Sequence, residues 1–296
     1  MSTIRAVLAG VNEYRRPEIP ALRGCVNDVL LVRALLRRWF GLDNSNIRLV
    51  VNQRATKDAI LHRLREAIQA SEPGDLVVFY FSGHGSQIRD REGDELADGL
   101  DELLCPHDMD WDTGRFIVDD EFDRIVAAAP RDVVVEAFFD CCFGGAAPSA
   151  FARLTGERAA GAPVRFAPPP SDIYARSADE QLPLSTLASG LRLHEGNVAW
   201  AASAENKPAS EIEVNGVTYG LFTYWGCWSI WQYAQRGELP SRTREQIVAE
   251  IRRILAELET GQTPEVFASR ALLHEPPLTP MTAQRVRVRP STTYAR

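Results

Sequence analysis

Two short apolar runs constrain this chain more than anything else in it. One is Leu76–Phe81 (LVVFYF); the other is Val133–Val135 with Ala137–Phe139, interrupted only by Glu136. Such runs do not alternate inward and outward residues. They fit strands of a parallel sheet covered on both faces, where both rows of side chains are buried. Each run stops on polar and small residues. The first leads into Ser82-Gly83-His84-Gly85, the second into Asp140-Cys141-Cys142 and then Gly144-Gly145. Ligands and reacting groups of open α/β sheets gather beyond the carboxyl ends of strands. A thiol at one strand end and an imidazole at another are the parts of a nucleophile–base pair.

Strand and helix patterns alternate around these runs. Ile4–Ala9 reads as a first strand. Val29–Phe40 reads as a helix that Asn27 or Asp28 can cap and Gly41 ends. Ile47–Val51 is a second strand, and Lys57–Ala70 a helix capped by Thr56 with Ile60, Leu61, Leu64 and Ile68 on one face. Asp119 or Asp120 is the expected cap of a helix reaching Ala129. This order predicts a parallel sheet with helices on both faces. After residue 196, Val198–Ala202 reads as a strand and Glu211–Val214 with Val217–Tyr219 as a hairpin about Asn215-Gly216. Leu221–Gln235 and Arg244–Leu258 read as helices, and Pro264–Leu273 as an edge strand.

Two segments depart from this alternation. Ile88–Glu121 holds thirteen Asp and Glu residues against Arg89, Arg91 and Arg115. A charge run of this kind is usually a solvated loop. Ala146–Gly196 is rich in Ala, Pro, Ser and Gly, has no steady period, and carries Arg153, Arg158, Arg165, Arg176 and Arg192. About fifty residues without a pattern mark a functional or disordered loop.

With 296 residues, 45% apolar and 25% charged, the composition is that of a globular protein near the upper size of one domain. A formal charge of −7 argues against a nucleic-acid surface. No apolar run reaches the ~18 residues of a membrane span. The first residues lack the basic-then-apolar layout of a secretory leader. Five cysteines with no regular spacing and no Cys-x-x-Cys point to a reducing cytoplasm, not to a disulfide framework or a zinc site. A cytoplasmic protein with no nucleic-acid or membrane partner is therefore expected. His62, His107, His194 and His274 lie in surface or packing contexts and are not read as a second base.

Five stretches in sequence order carry a more specific signal: Leu22–Asp28 (LRGCVND), Tyr80–Gln87 (YFSGHGSQ), Asp98–Asp108 (DGLDELLCPHD), Ile117–Glu121 (IVDDE) and Phe139–Gly145 (FDCCFGG). Together they resemble the metacaspases and the wider caspase-like clan of cysteine peptidases. The resemblance implies an α/β, caspase-like fold: a mostly parallel six-stranded sheet flanked by helices on both faces. It divides the chain into a large-subunit-like portion (1–145), a cleavable linker (146–196) and a small-subunit-like portion of the same domain (197–296).

The resemblance also implies roles. Cys142 would be the nucleophile and His84 the base, with Cys141 turned into the core. The backbone N–H groups of Cys142 and Gly85 would form the oxyanion hole. Cys25, Asp28, Ser82 and Asp140 would line the primary specificity pocket, whose carboxylates suit arginine first and lysine second. Asp101, Asp119 and Asp120 fall on calcium positions, where hard oxygen donors belong; Ser149 stands where a further acidic ligand is expected, and Phe143-Gly144 where the family has His-Ser. No organic cofactor is implied. The expected protein is a monomeric cysteine endopeptidase that cuts protein or peptide substrates after Arg or Lys. It would be latent until the linker is processed, by itself or by an upstream protease, or until calcium binds. The alternative is a catalytically inactive caspase-like scaffold.

Overall fold

The computed structural model describes residues 2–89, 100–143, 164–170, 196–204 and 207–280. Its elements run β1 (Ile4–Gly10), α1 (Cys25–Trp39), β2 (Ile47–Val51), α2 (Lys57–Gln69), β3 (Leu76–Ser82), β4 (Gly85–Arg89), β5 (Leu100–Leu104), β6 (Ile117–Val118), α3 (Asp119–Ala127) and β7 (Val134–Asp140). Beyond the linker come β8 (Val198–Ala201), β9 (Glu211–Val214), β10 (Val217–Gly220), α4 (Leu221–Gln235), α5 (Arg244–Glu257), β11 (Glu265–Ala268) and α6 (Arg270–Leu273).

Six strands form the central sheet in the order β11-β8-β7-β3-β1-β2. Every pairing is parallel except that of the edge strand β11 with β8. The two apolar runs are its central neighbours, and every residue of β3 is buried. On one face Leu8, Val78 and Tyr80 pack with Val29 and Leu36 of α1, Phe222 and Ile230 of α4, and Ile247 and Ile251 of α5. On the other, Val7, Phe79 and Phe139 pack with Ile60, Leu61 and Leu64 of α2 and Phe122 and Ile125 of α3. The six-stranded, mostly parallel α/β architecture expected from the sequence is the one observed. Among the described residues, no helix is long and apolar enough to cross a membrane.

Four local expectations are corrected. Helix α1 starts at Cys25, not Val29, so neither Asn27 nor Asp28 caps it. The Asn12 side chain accepts from the N–H groups of Cys25 (2.8 Å) and Val26 (3.4 Å), and Glu211 accepts from that of Gly24 (2.7 Å). With capping supplied from elsewhere, the Asp28 carboxylate is available for other partners. Helix α3 begins at Asp119 itself, after Val118, and ends at Ala127. The acidic stretch is not simply a loop: β4, β5 and β6 form a three-stranded antiparallel sheet, with Leu103 and Leu104 buried against Val118 and Ile117. Pro264–Leu273 is a short edge strand followed by a helical turn that Ser269 caps.

The hairpin β9–β10 turns at Asn215 (φ 52°) and Gly216 (φ 78°). Two consecutive left-handed residues are what a two-residue hairpin of this hand requires, and Asn-Gly supplies them at low cost.

One buried ion pair ties the portions on either side of the linker together. Glu136, in mid-β7, accepts from Trp200 Nε1 (2.9 Å), from Arg244 Nε (2.9 Å) and Nη2 (2.7 Å), and from the N–H of Leu278 (2.8 Å). Arg244→Ala would leave that carboxylate buried without its cation. The expected loss is about 3–5 kcal/mol of unfolding free energy, read from urea denaturation in a Cys142→Ala background.

Candidate active site

Strands β3 and β7 pair in parallel register from Leu76 opposite Val134 to Ser82 opposite Asp140. His84 and Cys142 each stand two residues beyond that last pair. Side chains alternate along the strand end, so Cys141 and Cys142 part company. Cys141 joins the core under α2 and α3, where burial drives its thiol pKa well up. Cys142 belongs to the opposite cluster, and its Sγ donates to the Lys207 carbonyl at 2.9 Å. All five cysteines are buried as free thiols.

His84 is held from three sides. Its backbone N–H donates to Tyr14 Oη (2.8 Å), and the two rings lie 5.1 Å apart. Its Nε2 lies 2.8 Å from the Pro20 carbonyl. A carbonyl can only accept, so Nε2 carries the proton and Nδ1 is left with its lone pair. Nδ1 is buried and has no hydrogen-bond partner among the described residues. Burial pushes the His84 pKa down to about 4; the Pro20 carbonyl opposes this, the Arg165 charge adds to it, and the Arg165 main chain opposes it weakly. The imidazole is therefore neutral in this state.

What fills the cleft is the chain's own linker. Arg165 is fully buried, and its guanidinium lies among three carboxylates. Nη2 reaches Asp28 Oδ2 (2.7 Å) and Glu211 Oε1 (3.1 Å); Nη1 reaches Asp140 Oδ1 (3.0 Å), and donates to Ser82 Oγ (2.8 Å) and the Asp140 carbonyl (3.1 Å). Ser82 Oγ in turn donates to Asp28 (2.8 Å), while Thr223 donates to Asp140 through Oγ1 (2.5 Å) and N–H (3.1 Å). Burial alone would lower the Arg165 pKa, but Asp140, Asp28 and Glu211 more than offset it and hold the group charged. Burial raises Asp28 to about 6, against the pull of Arg165, with the charge of Asp140 adding to the rise. Cys25 is pushed up to about 12 by burial.

The main chain of the same segment lies as an added strand. Arg165 N–H donates to the Ala209 carbonyl (2.8 Å), and Ala167 N–H to that of Gly85 (2.9 Å). The Arg165 carbonyl accepts from the N–H groups of Gly85 (3.0 Å) and Cys142 (3.1 Å). Those are the two donors named above for an oxyanion. Two glycines make room for the guanidinium. A Cβ on Gly24 would sit 2.9 Å from Arg165 Nη2; one on Gly220 would sit 2.6 Å from Nη1 and overlap the Asp140 carboxylate.

The structure thus brings Cys25, Asp28, Ser82 and Asp140 to one pocket beside His84 and Cys142. Glu211, Thr223, Pro20 and Tyr14 join them without having been singled out from sequence. Of the five linker arginines, Arg165 is described; Arg153, Arg158, Arg176 and Arg192 lie outside the described residues, as do Gly144, Gly145 and Ser149.

Asp101, Asp119 and Asp120 lie apart from this pocket, on β5 and at the start of α3. Burial, then the charge of Glu102, then Asp101 and Asp120, push Asp119 up to about 8. The donor chemistry suits a hard cation. Yet among the described residues no three His, Cys, Asp or Glu side chains stand close enough to hold a metal as arranged.

A sheet of this order, with Cys and His beyond its two central strands and a peptide paired alongside, defines a caspase-like fold. Solved structures share it. A Geobacter sulfurreducens protein superposes with a TM-score of 0.65 over 95% of this chain and 100% of its own, at 19% identity. Spodoptera frugiperda caspase-1 gives 0.50 over 90% and 86%, at 10% identity. Residues 4–149 match the metacaspase, peptidase C14 domain. The chain is 36% identical over 149 residues to metacaspase-1 of Arabidopsis thaliana, covering 48% of this chain and 39% of that one. Against metacaspase-1A of Aspergillus oryzae the figures are 36% over 152 residues, 49% and 35%. The chain spans less than half the length of these curated relatives.

The fit around Arg165 leads to a direct test. In a Cys142→Ala background, added trypsin should spare the bond after Arg165. Adding Gly220→Ala should expel the guanidinium and expose that bond, read as a new fragment starting at Phe166 by mass spectrometry, with circular dichroism as the check on folding.

Proposed function

We propose that this chain is a cysteine endopeptidase that cuts after arginine, and that its first substrate is its own Arg165–Phe166 bond. One observation carries the reading: the Arg165 side chain fills an acidic pocket while its carbonyl oxygen accepts from Gly85 and Cys142 N–H. An arginine peptide is thereby held as a substrate of the Cys–His pair would be.

The chemistry follows from the placement of donors. His84, neutral with Nδ1 bare, takes the proton of the Cys142 thiol. Sulfur attacks the carbonyl carbon, and the negative charge develops on the oxygen already facing the two N–H groups. Collapse expels the Phe166 amine, which receives the proton from His84. The thioester on Cys142 then yields to water, releasing a carboxylate and restoring the thiol. Before attack, the thiol must give up its bond to Lys207.

Specificity rests on separate partners for separate nitrogens. Nη1 and Nη2 each meet a different carboxylate, and lysine has one nitrogen to offer. Lysine substrates should be cut more slowly, and an aspartate side chain would be repelled. Asp140→Asn should lower kcat/KM for an arginine peptide on the order of 10²-fold or more.

Latency follows as well, since the occupied pocket admits no other arginine until the linker segment leaves. Calcium is part of the proposal: Asp101, Asp119 and Asp120, drawn together, would supply its oxygen ligands, and the ion would offset the burial and the neighbouring carboxylates that raise Asp119. The rival reading, an inactive scaffold, has in its favour Phe143-Gly144 standing where the family has His-Ser.

Incubating the full chain should produce a fragment with Phe166 at its amino end. Cys142→Ala and Arg165→Gln should not yield it; cleavage at that bond in Cys142→Ala would sink the assignment. A pH series adds a second check. A base works only while neutral, above its pKa, so activity is lost as pH falls through that value. Self-cleavage should hold its rate down to about pH 5 and fail near about 4, where the filled site places His84. Cleavage of added peptides, with the site open to water, should fail near the ordinary histidine value of about 6.5.

A further inference from the structure

The cleft continues past the scissile bond, and what lies there is an apolar socket. Ala167, two residues beyond the bond, is 2% exposed. It packs in a cluster with Ile19, Ile88, Leu103, Cys105, Met109 and Phe116, separate from both main cores. Its backbone is gripped on both sides: N–H to the Gly85 carbonyl (2.9 Å), and C=O from Ser86 Oγ (2.5 Å), itself fully buried. Pro168 follows, and a residue before proline is held to extended conformations, the one that this grip requires. The next residues, Pro168 and Pro170, line a groove with Ile19, Pro20 and Trp111.

We propose that this socket is a second specificity site, which admits only a small side chain (Ala, Gly or Ser) two positions after the cleaved arginine, and that it selects protein substrates as well as the linker. The proposal rests on the reading of the site as an arginine-specific peptidase, and it adds a requirement on the other side of the bond. The physical argument is packing. The walls are buried apolar side chains that surround a single methyl group. A larger side chain must displace them or pull the peptide off the Gly85 and Ser86 contacts. Either outcome shifts the carbonyl away from its two N–H donors, so the penalty falls on kcat/KM and not on folding.

The experiment has two arms. In the first, the full chain carrying Ala167→Gly, Ala167→Ser, Ala167→Leu or Ala167→Phe is followed for appearance of the Phe166 fragment. Gly and Ser should cleave at rates near wild type, and Leu and Phe at least about tenfold more slowly. In the second, self-processed wild-type enzyme is given quenched-fluorescence peptides Ala-Pro-Val-Arg-Phe-X-Pro-Pro with X as Ala, Gly, Ser, Leu or Phe. The same order is expected in kcat/KM. Enzyme carrying Leu103→Ala should narrow the gap between Leu and Ala at X by enlarging the socket. Equal cleavage at every X would overturn the socket while leaving the arginine reading intact. If no peptide is cut after arginine whatever stands at X, the arginine reading fails and this proposal falls with it.

Discussion

The parallel pairing of β3 with β7 is the constraint from which the site follows. Its last pair, Ser82 with Asp140, sends a hydroxyl and a carboxylate into the pocket, and the residues two further on are His84 and Cys142. Strand periodicity does the rest: positions two apart share a face, and the one between them faces away. A slip of one residue in β7 would bring Cys141 to the cleft and turn both Asp140 and Cys142 into the core under α2 and α3. The register is secured by burial on both faces, because neither row of apolar side chains can be exchanged with the other without loss of packing. The site is thus specified by the hydrophobic core that fixes this register.

The pocket shows the other half of the physics. Three carboxylates around one guanidinium leave the buried charges unbalanced toward the negative. Such an arrangement is poor evidence for stability, since desolvating each ion costs about as much as pairing returns. Under the proposed function it is a device for choosing a cation. Backbone N–H groups of Arg23, Gly24 and Gly220, with hydroxyls of Ser82 and Thr223, supply the carboxylates with fixed donors. The carboxylates are therefore preorganised, and a guanidinium entering them meets little reorganisation.

Much of this was legible in the sequence. Both central strands and the Cys–His placement came from local runs whose meaning does not depend on distant partners, while Asp28, Ser82 and Asp140 came from the resemblance to metacaspases. The start of α1 was not legible, because its caps are Asn12 and Glu211, one before the helix and one far beyond the linker. Glu211 itself was missed for a similar reason. In the alternating strand Glu-Ile-Glu-Val, nothing local marks Glu211 as buried and Glu213 as exposed; the difference arises only when the hairpin meets α1. The sheet of β4, β5 and β6 was hidden by its charge, since Asp101 and Glu102 interrupt the apolar signal of Leu103 and Leu104. Arg165 was one of five arginines in a featureless segment, and only the fold tells it from the rest.

The pocket is assembled from both sides of the linker: Asp28, Ser82 and Asp140 precede it, while Glu211, Gly220 and Thr223 follow. The sheet is shared in the same way, because β7 and β8 are hydrogen-bonded neighbours and Glu136 of one side holds Arg244 of the other. Cutting the chain after Arg165 would not part these pieces. It would instead turn one polypeptide into an obligate pair whose interface is the middle of a hydrophobic core. Before the cut, folding is a unimolecular equilibrium, indifferent to dilution. After it, mass action enters, and the stability of the cut form rises and falls with its concentration.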